Sequence, residues 1–297
     1  MKELVILSGK GGTGKTSLTA AFASFADNMI MCDADVDAAD LHLLMAPKIR
    51  QNTDFQGGNE AIINPDKCSQ CGLCMELCRF DAVKNIKKTF EIDPVACEGC
   101  GVCYDLCPEK VIDFPIKTCG EWYISDTRFG PMVHARLGIA EENSGRLVAL
   151  VRQETKEIVH QKHIDLILTD GPPGIGCPVI ASMGQASAIL IVAEPTVSGI
   201  HDMERVGQLA AHFKIPAMVC VNKYDLNHDQ TQAIKDLAKE RNITFVGQIP
   251  FDKTFTESMI QGKNIIETDE KSQASLAVRK IWDNVMAQPA MQIERLI

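Results

Sequence analysis

No stretch of this 297-residue chain approaches the roughly 18 consecutive apolar residues that mark a membrane-spanning helix. The start of the chain lacks the basic segment and apolar core of a secretion signal. It opens instead on Glu3-Leu4-Val5-Ile6-Leu7, which reads as a buried strand. Positive charge is in deficit: 30 Lys and Arg stand against 39 Asp and Glu, a net charge of −9. An acidic surface repels phosphate backbones and anionic lipid, so no nucleic-acid and no membrane partner is expected. The stretch from Gln288 to Ile297 has apolar residues but a single arginine, not the basic face of an interfacial helix. The seven histidines show no metal-ligand spacing. With 45% hydrophobic and 23% charged residues, the composition predicts a soluble, cytoplasmic protein of one large domain plus a smaller unit.

Cysteine, by contrast, is plentiful. There are twelve, and eight fall between Cys68 and Cys107. In a reducing compartment such clustering points to metal ligation rather than disulfides. The cysteine-rich stretch lacks a long helical period and contains a repeat. Ile63-Asn64-Pro65-Asp66-Lys67-Cys68 returns as Ile92-Asp93-Pro94-Val95-Ala96-Cys97, 29 positions later. The same offset relates Cys71 to Cys100, Cys74 to Cys103 and Cys78 to Cys107. A duplicated unit predicts two related halves folded on each other.

On either side, apolar strand-like runs alternate with helix-like ones, from Lys2 to about Met45 and again from Asp165 onward. The pattern predicts an α/β fold with a mostly parallel, doubly wound sheet. The expected partition is residues 1–60 and 116–297 for the α/β domain and 61–115 for the insert.

Gly9-Lys10-Gly11-Gly12-Thr13-Gly14-Lys15-Thr16 fits the phosphate-binding pattern G-x-x-x-x-G-K-[ST], with a strand before it and a helix from Ser17 after it. Its glycines let backbone N–H groups converge on phosphate oxygens, and the helix N-terminus adds positive potential. Lys15 is expected at the β- and γ-phosphates and Thr16 at Mg²⁺. Asp170 ends a second apolar strand, where a Mg²⁺-associated acid belongs.

The cysteine spacing, Cys68-x2-Cys71-x2-Cys74-x3-Cys78 and Cys97-x2-Cys100-x2-Cys103-x3-Cys107-Pro108, is that of two-cluster bacterial ferredoxins. In that pattern the fourth cysteine of each run ligates the other cluster. Cys68, Cys71, Cys74 and Cys107 are then assigned to one [4Fe-4S] cluster, and Cys78, Cys97, Cys100 and Cys103 to the second. Zinc is the rival occupant of paired C-x2-C motifs. Arg79 stands where the second run has Pro108. With few large apolar residues, the insert needs inorganic staples whatever its redox role.

Lys10, the extra lysine of the phosphate loop, resembles the signature of the deviant Walker A ATPases, the MinD/ParA group with the nitrogenase iron protein and Mrp-type cluster carriers as relatives. The resemblance implies a dimer, with itself or with a related ATPase, in which Lys10 reaches the partner's nucleotide. Asp33-Ala34-Asp35 resembles the family's first switch, which implies Asp35 as the residue that positions the attacking water or supports Mg²⁺. The family often has Asn where this chain has Asp40. The segment Val221-Asn222-Lys223-Tyr224-Asp225 also matches the guanine-reading Asn-Lys-x-Asp of GTPases. The MinD resemblance instead implies adenine recognition by Asn222, beside a loop Ile249-Pro250-Phe251-Asp252 that brings in Pro250 and Asp252. The implied nucleotide site is therefore Gly9 to Ser17 with Asn222, Pro250 and Asp252, and the cofactors are ATP, Mg²⁺ and two [4Fe-4S] clusters.

Nearly the whole chain resembles MinD-superfamily ATPases carrying an inserted ferredoxin domain. Gly130 to Ala135, Glu141 to Gly145 and Gly174 to Pro178 look like that subgroup's connecting segments. The leading expectation is ATP-driven change of dimer geometry coupled to electron transfer to a redox or metal-cluster protein partner. The alternative is an assembly or carrier ATPase that hands over a cluster; Cys177, after the Asp170 strand, keeps that alternative alive, with Cys119 as its possible partner. Cys32 and Cys220, in apolar strand runs, are expected as buried small hydrophobes. A positioning ATPase is disfavoured by the acidic surface, and an amide synthase by the lack of length for a glutaminase domain.

Overall fold

The computed structural model of the protein describes residues 1–87, 89–138 and 144–292. Strand β1 (Lys2–Ser8) leads through the Gly-rich loop into helix α1 (Lys15–Ala23), followed by β2 (Met29–Asp33), the short α2 (Leu41–Met45) and the long β3 (Lys48–Asn59). The cysteine-rich stretch holds β4 (Ile62–Ile63), α3 (Leu73–Leu77), β5 (Val83–Ile86), β6 (Thr89–Ile92), α4 (Val102–Leu106) and β7 (Ile112–Asp113). Strands β8 (Ile116–Thr127) and β9 (Gly130–Leu137) lead to α5 (Ser144–Lys162). The rest alternates regularly: β10 (Leu166–Pro173), α6 (Cys177–Met183), β11 (Ala188–Ala193), α7 (Val197–His212), β12 (Ala217–Asn222), α8 (His228–Glu240) and β13 (Thr244–Ile249). Helices α9 (Thr254–Ile260), α10 (Ile265–Thr268) and α11 (Gln273–Met286) complete the path. The expected connecting segment Glu141 to Gly145 lies mostly outside the described residues.

The chain divides into two compact units. One combines Met1–Asn52, Trp122–Arg136 and the chain from Ser144, and the other is built on Thr53–Glu121. The main sheet has the order β13-β12-β11-β1-β10-β2-β9-β8-β3. From β13 through β9 the pairings are parallel. Its central strands are mainly apolar because both faces are covered, with Glu3, Asp33, Thr169 and Asp170 as buried polar exceptions. Leu4 and Ile6 pack into one core with α1 and α11, whereas Val5 and Leu7 face the opposite core with α7.

Helix α5 is tied down by a buried ion pair. Arg152 holds Glu3 through Nε at 3.1 Å and Nη2 at 2.7 Å, and donates to Ala181 O and Gly184 O. Thr169 Oγ1 donates to the same carboxylate at 3.0 Å. Arg152→Ala strands a buried carboxylate on β1, so a loss of about 3–5 kcal/mol of stability is expected in urea unfolding. A loss below 1 kcal/mol would mean that the pair is not buried in solution.

His134 on β9 is also buried. Its Nε2 lies 2.9 Å from Ser125 Oγ, and its ring stacks between Tyr123 and His42. Burial, aided by the nearby His42, pushes its pKa down to about 4. The folded protein therefore resists a proton that the unfolded chain accepts near pH 6.5. The stability contribution is complete above pH 6.5 and falls as pH drops from there toward 4, by about 3 kcal/mol. His134→Gln should flatten that acid limb of the stability profile, and an unchanged limb would assign it to other groups.

At the outer rim of the sheet, β13 pairs among the described residues with β12 alone. A register shift falls opposite Gly247, whose φ of +151° and contact with Ile281 leave no room for a Cβ. Asn284 Nδ2 donates to Val246 O at 2.8 Å, and Lys235 lies over the Phe245 ring.

Candidate functional site

The phosphate loop forms where β1 stops and α1 begins. Gly12 and Gly14 adopt φ of +79° and +94°, the left-handed region that only glycine enters cheaply. Gly9 has a different constraint: a Cβ there would collide with Asp202. Parallel pairing of β2, β10 and β1 sets Asp170 level with Asp33 and Ile6, so the acids gather at the carboxyl ends of the strands.

These side chains meet. Lys15 Nζ is 3.2 Å from Asp35 Oδ2, and Thr16 Oγ1 donates to Asp170 Oδ2 at 2.6 Å. Thr19 Oγ1 lies 3.3 Å from Asp170 Oδ1. Asp33 accepts from Asp35 N through Oδ1, while its buried Oδ2 has no partner. Burial pushes the Asp33 carboxyl well up, reinforced by Asp170 and Asp35. Burial also raises Asp35, to about 6, against the opposing pull of Lys15. For Lys15 the attraction of Asp170, Asp35 and Asp33 outweighs burial and raises its pKa. A crowded, partly orphaned carboxylate set beside a threonine hydroxyl is the donor chemistry of a hard divalent cation.

A cavity opens beside the loop, lined by Gly12, Gly14, Ser17, Asn222, Pro250 and Asp252 among others. Asn222 Nδ2 donates to Thr13 O at 2.8 Å. Asp225 Oδ1 accepts from Phe251 N at 2.7 Å, bracing the Pro250 loop. Lys10 is directed to Glu194, with 3.0 Å between Nζ and Oε2. The sequence reading passed over Glu194, although an acid immediately after the apolar strand run 188–193 is the same signal that marked Asp170. Phe251, from the expected Pro250 loop, also walls the cavity, and so do Phe255 and Met259, which no sequence signal marked. Asp40 sits exposed at the start of α2 without a capping hydrogen bond from its side chain.

In the second unit each cysteine run turns through a left-handed glycine, Gly72 or Gly101, into a five-residue helix. Cys78 and Cys107 follow those helices in extended conformation. Antiparallel pairing then crosses the halves. β4 precedes Cys68 and pairs with β7, which follows Cys107; β5 follows Cys78 and pairs with β6, which precedes Cys97. Cys68, Cys71, Cys74 and Cys107 line one pocket, with Cys103 also on its wall. Burial pushes the Cys74 and Cys103 thiols up. At Cys78 backbone N–H groups of Phe80, Ala82 and Val83 outweigh burial and lower its pKa. Among the described residues no three His, Cys, Asp or Glu converge as ligands of a single ion.

The remaining cysteines differ. Cys32 and Cys220 are fully buried, and desolvation pushes both thiols up to about 12. Cys119 is buried and donates to Gly57 O at 2.6 Å. Cys177 is exposed at the start of α6. His201 is exposed. Among the described residues no helix is long and apolar enough to cross a membrane.

Residues 4–265 match the CobQ/CobB/MinD/ParA nucleotide-binding domain. The chain belongs to that family. Among similar proteins is an uncharacterized protein of Methanocaldococcus jannaschii, 29% identical, with 95% of this chain and 96% of the relative covered. An uncharacterized ATP-binding protein of the same organism is 20% identical, covering 94% and 85%. The fold is that of septum site-determining MinD complexed with Mg-ADP from Pyrococcus horikoshii, at TM-score 0.57 and 18% identity with 96% of both chains covered. MinD of Aquifex aeolicus aligns at TM-score 0.57 and 21% identity, covering 99% and 100%.

Proposed function

We propose that the protein is a Mg²⁺-dependent ATPase that couples nucleotide state and dimerisation to electron transfer through two [4Fe-4S] clusters. The observation that carries this reading is the crossed cysteine pattern on a chain that also has a phosphate loop. A cubic cluster takes one thiolate at each iron, so its ligands surround a cavity, whereas the ligands of one zinc meet it at about 2.3 Å. The Cys68, Cys71, Cys74 and Cys107 cavity suits the former. Bound there, the clusters would supply one-electron chemistry and hold together a unit whose buried apolar core is small.

Adenine is favoured over guanine because Asp225, the acid a guanine would need, already accepts from Phe251 N. Thr16, Asp170 and Asp35 would hold Mg²⁺; Lys15 would neutralise the β- and γ-phosphates; Asn222, Pro250 and Asp252 would border the base. Lys10 would complete the site of a second copy or of a related ATPase, and a redox protein would receive the electrons. The carrier reading stands second, favoured by exposed Cys177.

Coupling of nucleotide to redox state would follow from the chain path. The segment carrying Asp33 and Asp35 runs directly into the cysteine unit through α2 and β3. Allosteric couplings are typically about 1–3 kcal/mol, which for one electron is a midpoint shift of about 40–130 mV. Redox titration followed by EPR, with and without a non-hydrolysable ATP analogue, should show it. Nucleotide affinity should change reciprocally between oxidised and reduced protein. Unchanged potentials and affinities would favour the carrier reading.

A further inference from the structure

One carboxylate near the phosphate loop is engaged with neither a metal-type donor set nor a helix cap. Glu194 follows β11 at the carboxyl end of the sheet, and its two oxygens are divided between two lysines. Oε2 lies 3.0 Å from Lys10 Nζ and Oε1 lies 2.6 Å from Lys223 Nζ. Both lysines belong to the nucleotide-binding loops: Lys10 is inside the phosphate loop, and Lys223 lines the cavity beside it with Gly12 and Gly14. Lys223 Nζ also reaches Gly12 O at 3.5 Å. Glu194 is largely buried, at 15% exposure, while the lysines keep 38% and 30%. Its backbone is fixed as well, because Gly199 packs so closely on Glu194 O that a Cβ would collide with it. Asp202 lines a separate small crevice together with Glu194 and Lys10.

We propose that Glu194 is an internal counter-ion standing in for nucleotide phosphate, which parks Lys223 beside this chain's own nucleotide and Lys10 short of the partner's, and lowers the affinity of the site. The inference rests on the nucleotide reading of the loop. Lysines with no partner at the mouth of an anion site would attract phosphate at full strength. Lysines already paired must exchange one anion for another, so only the difference between the two pairings contributes to binding. Burial pushes the Glu194 carboxyl up, but the bonds from Lys223 and Lys10 outweigh it and hold the group below the usual glutamate value. It is therefore ionised at neutral pH, as a stand-in must be. The device suits a protein that must release its product: a weakened hold on diphosphate shortens the time before the site is refilled.

The proposal predicts a direction opposite to that of a bracing role. Glu194→Gln keeps the size and hydrogen-bonding reach of the side chain and removes its charge. In calorimetric titration of the full chain with Mg-ADP at low salt, E194Q should bind about three- to tenfold more tightly than wild type. The gain should shrink as salt rises, because it is electrostatic. Glu194→Asp keeps the charge but is too short to span both lysines, so it should show a smaller gain. If E194Q does not fold, the aspartate variant alone decides. Binding equal to or weaker than wild type in the folded variant would overturn the proposal and leave Glu194 as a brace. Failure of wild-type protein to bind Mg-ADP at all would instead overturn the nucleotide reading beneath it.

Discussion

Anaerobically isolated protein is expected to contain about eight iron and eight acid-labile sulfide atoms per chain, and Cys107→Ser to disrupt the cluster held by the distant Cys68 run. The reason lies in strand pairing. Ile112 on β7 pairs with Ile63 on β4, so the chain leaving Cys107 lies against the chain entering Cys68. The cavity bordered by Cys68, Cys71 and Cys74 closes on Cys107. Cys78→Ser should damage the other cluster, since β5, just after Cys78, pairs with β6, just before Cys97. EPR of the two reduced variants would distinguish the losses, each retaining one signal. Two zinc ions without sulfide would sink the cluster reading. Damage by Cys107→Ser confined to the Cys97, Cys100 and Cys103 site would sink the crossed assignment alone.

Lys15→Ala is expected to weaken nucleotide binding by about a hundredfold or more, because it deletes the one buried cation among three buried acids. The loss has two parts. The β- and γ-phosphates forfeit a charge-assisted partner, and Asp33, Asp35 and Asp170 are left to repel them. Equilibrium binding of Mg-ADP checks the first part. The second predicts that Asp35, released from its 3.2 Å contact, titrates higher still in the variant. Affinity within tenfold of wild type would place the phosphates elsewhere.

Much of the α/β unit was legible because its signals are local. Apolar runs such as 188–193 and 217–221 are strands, and the glycines before Lys15 announce a turn into a helix. Asp170 was readable as a strand-end acid, and pairing of β10 with β2 explains why it stands beside Asp33. The strand Lys48–Asn59 was not legible. Its first residues Lys-Ile-Arg-Gln-Asn-Thr are polar apart from Ile49 and mostly exposed, so little in its hydropathy distinguishes an outer strand from a loop. Nor was the extent of the second unit, since 53–60 and 116–121 belong to it by packing rather than by composition. The site residues showed the same division. Lys10 could be picked out by its position in the loop, but its partner Glu194 lies 184 positions away and no spacing rule connects them.

The rim at β13 bears on how copies of this protein meet. An outermost strand offers unpaired amides and carbonyls to any other extended chain, the usual first step toward ordered aggregates. Here Asn284 already occupies the Val246 carbonyl, Gly247 throws the strand out of step, and Lys235 carries a charge over the neighbouring ring. An incoming strand would have to displace the amide, accept the kink and bury an ammonium. Two molecules therefore gain nothing by fusing their sheets along this border. This border is a poor template for the addition of another strand.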